Sequence, residues 1–304
     1  MSFPLKYRPS VFEDVIGNKA TIDLFNKKLL SGENRSRVYL ISGPSGTGKT
    51  TIARIAADIV KADKMSIKEI NTANNRGIDT ARQIIEETRY PSMNGAPIVY
   101  IIDEVHKTTN DWQNAMLKPL EEPPEHIYFF LCTTDPQKLI PTLKQRCTSV
   151  KLNAVDTDSI FKLLFRIGKK EGIKVDSSIY RRIATASVGS PRKALTLLES
   201  IKDIESEKEM KSIISQGIDD NENQIKDLCR ALLGNNSWGD VSKILKELKN
   251  IEPEAIRWAV MGYMSAVLLN KANNKAAMIL EAYSEPFYST GFNGLVLATF
   301  STFS

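Results

Sequence analysis

Histidine and cysteine are scarce in this chain of 304 residues, with two and three copies respectively. Cys132, Cys147 and Cys229 are scattered with no C-x-x-C pair, which argues against a disulfide framework and leaves reduced, partly buried thiols. His106 and His126 lie at no useful spacing from them, and a structural zinc site needs about four such ligands. Long apolar runs are also missing. None approaches the ~20 residues that span a bilayer, and the opening MSFPLKYRPS has no signal-peptide apolar region. A cytoplasmic location with no membrane partner is therefore expected. No internal repeat or low-complexity tract interrupts the chain. What remains is an ordinary globular composition, 42% hydrophobic and 25% charged, with a formal net charge of +5. That charge permits a polyanionic partner without demanding one, and the length allows two or three domains.

The first ~155 residues alternate strand and helix patterns. RVYLIS (37–42), PIVYIID (97–103) and IYFFLCTT (127–134) are continuous apolar runs, as strands covered on both faces should be. A helical pattern, KTTIARIAADIV (49–60), follows the first. This predicts an α/β fold with a parallel sheet and ligands at the carboxyl ends of its strands. From Asp156 the strands stop. Helical patterns cover 156–173, 177–188 and 190–201, and the charged stretch 202–212 reads as a linker or solvent-facing helix. Further helical segments include 237–250 and 252–272, the latter apolar over much of its surface and so buried in a bundle or against a partner.

GPSGTGKT (Gly43, Pro44, Ser45, Gly46, Thr47, Gly48, Lys49, Thr50) fits G-x-x-x-x-G-K-[ST] between a strand and a helix. Its glycines let backbone N–H groups wrap phosphates, Lys49 reaches the β- and γ-phosphates, and Thr50 supplies a Mg²⁺ ligand. Thr51, next in line, is counted with the nucleotide contacts. About fifty residues on, IVYIIDEVH ends a strand in Asp103, suited to Mg²⁺, and Glu104, suited to polarising the attacking water. The pair argues for hydrolysis and not mere binding. In CTTDP, Thr134, in preference to Thr133, could orient the water and sense the γ-phosphate; a threonine that merely favours β structure is the competing reading. Arg192 in GSPRKAL sits near a helix start from which a second domain could reach the phosphates, although an exposed helical arginine is more often simply solvated.

These motifs, with KYRPSVFEDVIGN (6–18), RGID (76–79), NAMLKPLEEPPEHIYFFLCTTDPQKL and GSPRKALTLLE (189–199), resemble the AAA+ clamp-loader ATPases. That family includes the bacterial DNA polymerase III gamma/tau and replication factor C small subunits. The resemblance covers about two thirds of the chain. It implies an AAA+ P-loop α/β domain (1–155), a helical lid (156–207) and an all-α collar for oligomerisation (208–304). It implies ATP and Mg²⁺ as ligands. The partners it implies are a sliding clamp, primer–template DNA and other loader subunits in a ring or spiral, a pentamer. Residue by residue, it places Tyr7, Arg8, Val15, Ile16 and Gly17 along the adenine. Arg146, in a Gln145-Arg146-Cys147 version of the family's Ser-Arg-Cys motif, becomes an arginine finger for a neighbouring subunit's ATP. Arg76, Arg82, Lys107 and Thr108 match helix starts that track the DNA backbone, and Tyr90 and Met93 match the clamp contact.

Two departures stand out. The zinc module that follows the P-loop helix in gamma/tau is missing, and the chain ends at Ser304 without a tau-type extension. The expectation is a streamlined version such as a phage would encode, acting in the host cytoplasm. Two other functions stay open on the residues alone: an AAA+ branch-migration motor, and an ATP-binding scaffold subunit of the loader.

Overall fold

Five parallel strands form the centre of the molecule's first part. The computed structural model describes residues 1–30, 36–72, 75–92, 94–216, 220–234, 236–251, 253–287 and 290–303. Met93 lies outside the described residues. By its internal contacts the chain divides into two units, Met1–Ile214 and Ser215–Ser304. The first unit runs α1 (Phe3–Lys6), α2 (Lys19–Leu30), β1 (Val38–Ser42), α3 (Lys49–Ile59), β2 (Ile67–Asn71), α4 (Ile78–Glu87), β3 (Ile98–Asp103), α5 (Asn110–Glu121), β4 (Ile127–Thr133), α6 (Pro141–Gln145) and β5 (Thr148–Lys151). Then come α7 (Thr157–Glu171), α8 (Ser177–Ala186), α9 (Pro191–Ile201) and α10 (Glu207–Gln216), which carries the chain over the boundary.

The strand order is β2-β3-β4-β1-β5. Continuous apolar strands suit this sheet because successive side chains leave on opposite faces and both faces are covered. Tyr39, Ile41, Ile101, Phe130 and Cys132 enter one core with Phe25 of α2 and Ile52 and Ala56 of α3. Leu40, Tyr100, Ile102, Phe129 and Leu131 enter the other with Ile84 of α4 and Trp112 and Met116 of α5. The edge strands β2 (IKEIN) and β5 (TSVK) lack this signature. Their exposure is mixed, and Lys68 and Glu69 or Thr148 and Lys151 interrupt the apolar pattern. Because β4 lies between β1 and β3, the loop after β1, the acids ending β3 and the threonines ending β4 share one rim.

Helices α7, α8 and α9 pack against one another, and Ile160, Leu164, Ile183, Leu198 and Ile201 on them are buried. Side-chain caps from Asp156, Asp176 and Ser190 begin all three, satisfying N–H groups that the first turn leaves unpaired. The charged stretch after them becomes α10. The second unit is helical: α11 (Asp220–Leu233), α12 (Trp238–Glu247), α13 (Pro253–Asn270), α14 (Asn274–Ala282) and α15 (Gly291–Ser301). Leu228, Leu232, Val260, Met264, Ile279 and Leu295 make its core. Within it Arg257 donates through Nε to Glu254 Oε2 at 2.8 Å and through Nη1 to Tyr283 O at 3.1 Å. Both side chains of this ion pair are buried. No helix among the described residues is long and apolar enough to cross a membrane.

Candidate nucleotide site

The P-loop owes its path to two glycines. Gly43 has φ +154°, and a Cβ there would lie 2.5 Å from Leu152 O. Gly46 has φ +73°, and its Cβ would collide with Ser190 Oγ, the N-cap of α9. No L side chain suits the second position on either ground. The helical layer of α7–α9 thus meets the loop directly. A cavity of about 380 Å³ lies between them. Ser45–Thr51, Asp103, Glu104 and Arg192 line it, with Tyr7, Arg8, Val15 and Ile16. Gly17, Gly43, Pro44, Thr134 and Arg146 are not among its lining residues.

Lys49 is buried, and its Nζ donates to Gly43 O at 3.0 Å and Pro44 O at 2.9 Å. Burial pushes its pKa below the ordinary lysine value; Glu104, Cys132 and Asp103 oppose the shift, and the positive charge of Arg192 adds to it. An ammonium that has lost water and faces a second cation gains most from a polyanion. Thr50 Oγ1 donates to Asp103 Oδ2 at 2.9 Å, so two hard oxygen donors converge beside the lysine, the chemistry that suits Mg²⁺. The residues fit a nucleoside triphosphate with its metal.

Glu104 holds a left-handed backbone, φ 56° and ψ 37°, uncommon for a residue with a side chain and costing about 1–3 kcal/mol. Its surroundings fix that geometry. Its N–H donates to Asp103 Oδ1 at 3.1 Å, and its carbonyl accepts from the buried Thr72 hydroxyl at 2.6 Å. Thr134 Oγ1 donates to Glu104 Oε2 at 3.5 Å. Thr133 is fully buried and bonds elsewhere, to the His106 ring and the Asp135 N–H.

Two profiles of known families match the chain: "DNA polymerase III, delta subunit" over residues 58–156 and "RCF1/5-like, AAA+ ATPase lid domain" over 162–202. A DNA polymerase III subunit gamma of Buchnera aphidicola is 36% identical over 215 residues, 64% of this chain and 59% of that protein. The tau subunit of Escherichia coli K12 is 34% identical over 64% of this chain and 33% of its own length. The chain resembles the DNA polymerase III gamma/tau subunits. It spans about three fifths or less of the length of these relatives. Among solved structures, a point variant of Thermotoga maritima RuvB superposes with a TM-score of 0.63 at 17% identity, over 79% of this chain and 85% of that one. A structure of the same protein described as a Holliday junction branch migration motor gives 0.61 at 18%, over the same shares of the two chains. At that identity the likeness speaks for the fold alone, a module of parallel sheet and helices.

Relative to that module, Arg146 caps the end of α6. Its Nε and Nη2 donate to Glu121 Oε2 at 2.9 and 2.6 Å, and Nη1 donates to Thr142 O at 2.9 Å. Glu121 thus holds the arginine, a partner that the sequence reading missed. Cys147 beside it is a half-buried residue whose thiol pKa burial raises to about 12.

The N-termini of α4 and α5 lie together, with Thr109 N–H donating to Arg76 O at 3.1 Å. Arg76, Arg82 and Lys107 are exposed there, Arg82 in an ion pair with Asp79 at 3.1 Å. Thr108 corrects the expectation made for it: it is buried and its hydroxyl donates to Val105 O at 2.7 Å, so it offers no surface donor. Tyr90 is 64% exposed after α4. Two further residues escaped the sequence reading: Glu171 and Glu199. The Tyr7 hydroxyl donates to Glu171, which also pairs with Lys6 at 2.5 Å, and Glu199 Oε2 accepts from Phe3 N at 3.1 Å. Each of these contacts joins residues far apart in sequence, where local patterns carry no signal.

Proposed function

We propose that this chain is an ATP-hydrolysing subunit of a sliding-clamp loader, opening a ring clamp and closing it on primer–template DNA. One observation carries the reading: Lys49, Thr50, Asp103, Glu104 and Arg192 converge on one cavity between the sheet and the helical layer. The similarity to gamma/tau subunits gives that convergence its context. The domains that suit this role are the ATP-binding domain 1–155, the lid 156–207 and the collar 208–304, in a cytoplasmic complex.

The P-loop amides and Lys49 bind the phosphates. Thr50 and Asp103 would hold Mg²⁺, and the ion would supply positive charge to offset that of the phosphates. Glu104 polarises a water aimed at the γ-phosphorus and takes its proton on the carboxylate as the bond to ADP breaks. Thr134 orients that water, and Arg192 brings lid charge to the phosphates. Tyr7, Arg8, Val15 and Ile16 wall the base, with Gly17 next to them in the chain. Arg146 serves the ATP of the next subunit in a ring or spiral, neutralising charge in the transition state. Arg76, Arg82 and Lys107 contact DNA phosphates without reading bases, and Tyr90 contacts the clamp.

The test is stimulation. ATPase activity of the assembled subunits is measured with clamp, with primed DNA, and with both. A sharp rise only with both supports the loader reading. Full stimulation by four-way junction DNA without clamp overturns it in favour of a branch-migration motor.

A further inference from the structure

His106 stands beside Glu104 and has no part in the proposed mechanism. It follows β3 in the 3-10 turn Val105–Lys107, and its side chain is only 9% exposed. Its Nε2 lies 3.4 Å from Glu104 Oε2 and its Nδ1 3.0 Å from Thr133 Oγ1. Thr133 Oγ1 in turn accepts the Asp135 N–H at 3.0 Å. These distances favour one tautomer of the ring. The Glu104 carboxylate can only accept, so its approach to Nε2 favours hydrogen on that nitrogen. The Thr133 hydroxyl, already accepting from Asp135, has its own hydrogen to give to Nδ1. The opposite tautomer would aim an imidazole lone pair at a carboxylate. Burial lowers the pKa of His106 against the pull of Glu104 and Asp135, with Lys138 and Lys107 adding to the lowering, which favours the neutral ring.

The same oxygen, Oε2, also accepts from Thr134 Oγ1 at 3.5 Å. Among the described residues no hydrogen bond reaches Oε1. The His106 ring nitrogen and the Thr134 hydroxyl both stand at Oε2, and the other oxygen is left to accept a proton, the arrangement a base needs if its orientation is to be set before reaction. Both donors report to the tip of β4, one directly from Thr134 and one through Thr133.

We propose that His106 is a positioning residue for Glu104, using an Nε2–H bond relayed from Thr133 to orient the carboxylate. This rests on the reading of Glu104 as the water-polarising group and adds the element that aims it.

Amide substitutions separate the two ends of the ring. In His106→Gln the amide nitrogen stands near the position of Nε2 and keeps the donor to Glu104. In His106→Asn the amide stands near Nδ1, and the donor is lost. His106→Gln should keep kcat within about threefold, whereas His106→Asn and His106→Ala should lose about tenfold in kcat with KM for ATP unchanged. In a Glu104→Gln background the His106→Ala loss should largely vanish, because a residue acting through Glu104 has nothing left to orient. A readout independent of activity is at hand, since the chain has only two histidines. Nitrogen NMR of the ¹⁵N-histidine-labelled chain should show His106 with Nε2 protonated and Nδ1 bare. An Nδ1-protonated ring, equal losses in all three variants, or a full His106→Ala loss in the Glu104→Gln background overturns the proposal. If Glu104→Gln itself turns over normally, the reading of Glu104 falls and His106 with it. If Glu104→Gln is slow while the His106 series is unaffected, only the positioning role falls.

Discussion

Each unit of the molecule holds an arginine against a glutamate, and the two pairs differ in nearly every respect that matters. Arg257 and Glu254 are buried in the helical second unit, and backbone groups complete their hydrogen bonding. Arg146 and Glu121 meet at the surface of the first, with side chains 26% and 58% exposed. A buried pair that loses one member strands a charge in a poor solvent, whereas an exposed pair returns both groups to water at little cost. Arg257 is therefore fixed architecture. Arg146 is held in place by an interaction weak enough to surrender, as an arginine proposed to act on another subunit requires.

The sharpest way to break this contrast is Arg146→Ala. It should leave ATP binding to the isolated subunit unchanged and cut turnover of the assembled complex by roughly 10³-fold. Mixing Arg146→Ala with Lys49→Ala subunits should restore part of the activity, because intact P-loops then face intact fingers. Assembly confirmed by native mass with no recovery would return Arg146 to a purely structural part. Next in size is stability. Glu254→Ala should cost about 3–5 kcal/mol in denaturant unfolding, and Glu121→Ala about 0–1 kcal/mol. Equal costs would erase the difference between the pairs. The smallest effect is expected at the exposed cations Arg82 and Lys107. Alanine at either should weaken binding to primer–template DNA of any sequence and flatten the slope of log affinity against log salt by about one unit. An unchanged slope in the double variant would leave both as solvated charges.

What the chain discloses before folding follows the same division between local and distant. Strands β1, β3 and β4 are legible because both faces are buried and the apolar runs are unbroken. Strands β2 and β5 are not, because an edge pairs on one side only and tolerates lysine and glutamate in its pattern. In the site, Lys49, Thr50, Asp103 and Glu104 sit in short contiguous motifs whose spacing is itself the signal. Glu121 reaches Arg146 across 25 residues and Glu171 reaches Tyr7 across 164, separations at which a charged residue looks like any other. Thr108 shows the opposite error. A hydroxyl beside a helix start looks available in sequence, and only the fold turns it inward to Val105.

The lacing of the first residues onto the helical layer has a mechanical consequence. Phe3 is bonded to Glu199 of α9, and Lys6 and Tyr7 to Glu171 of α7, while Tyr7 also forms part of the cavity wall. One side of the wall is thus carried by the roof. A rotation of α7–α9 that lifts Arg192 from the P-loop would pull the Tyr7 ring with it, loosening both ends of a bound molecule in one stroke. The cavity would then open as a jaw, with both teeth moving together.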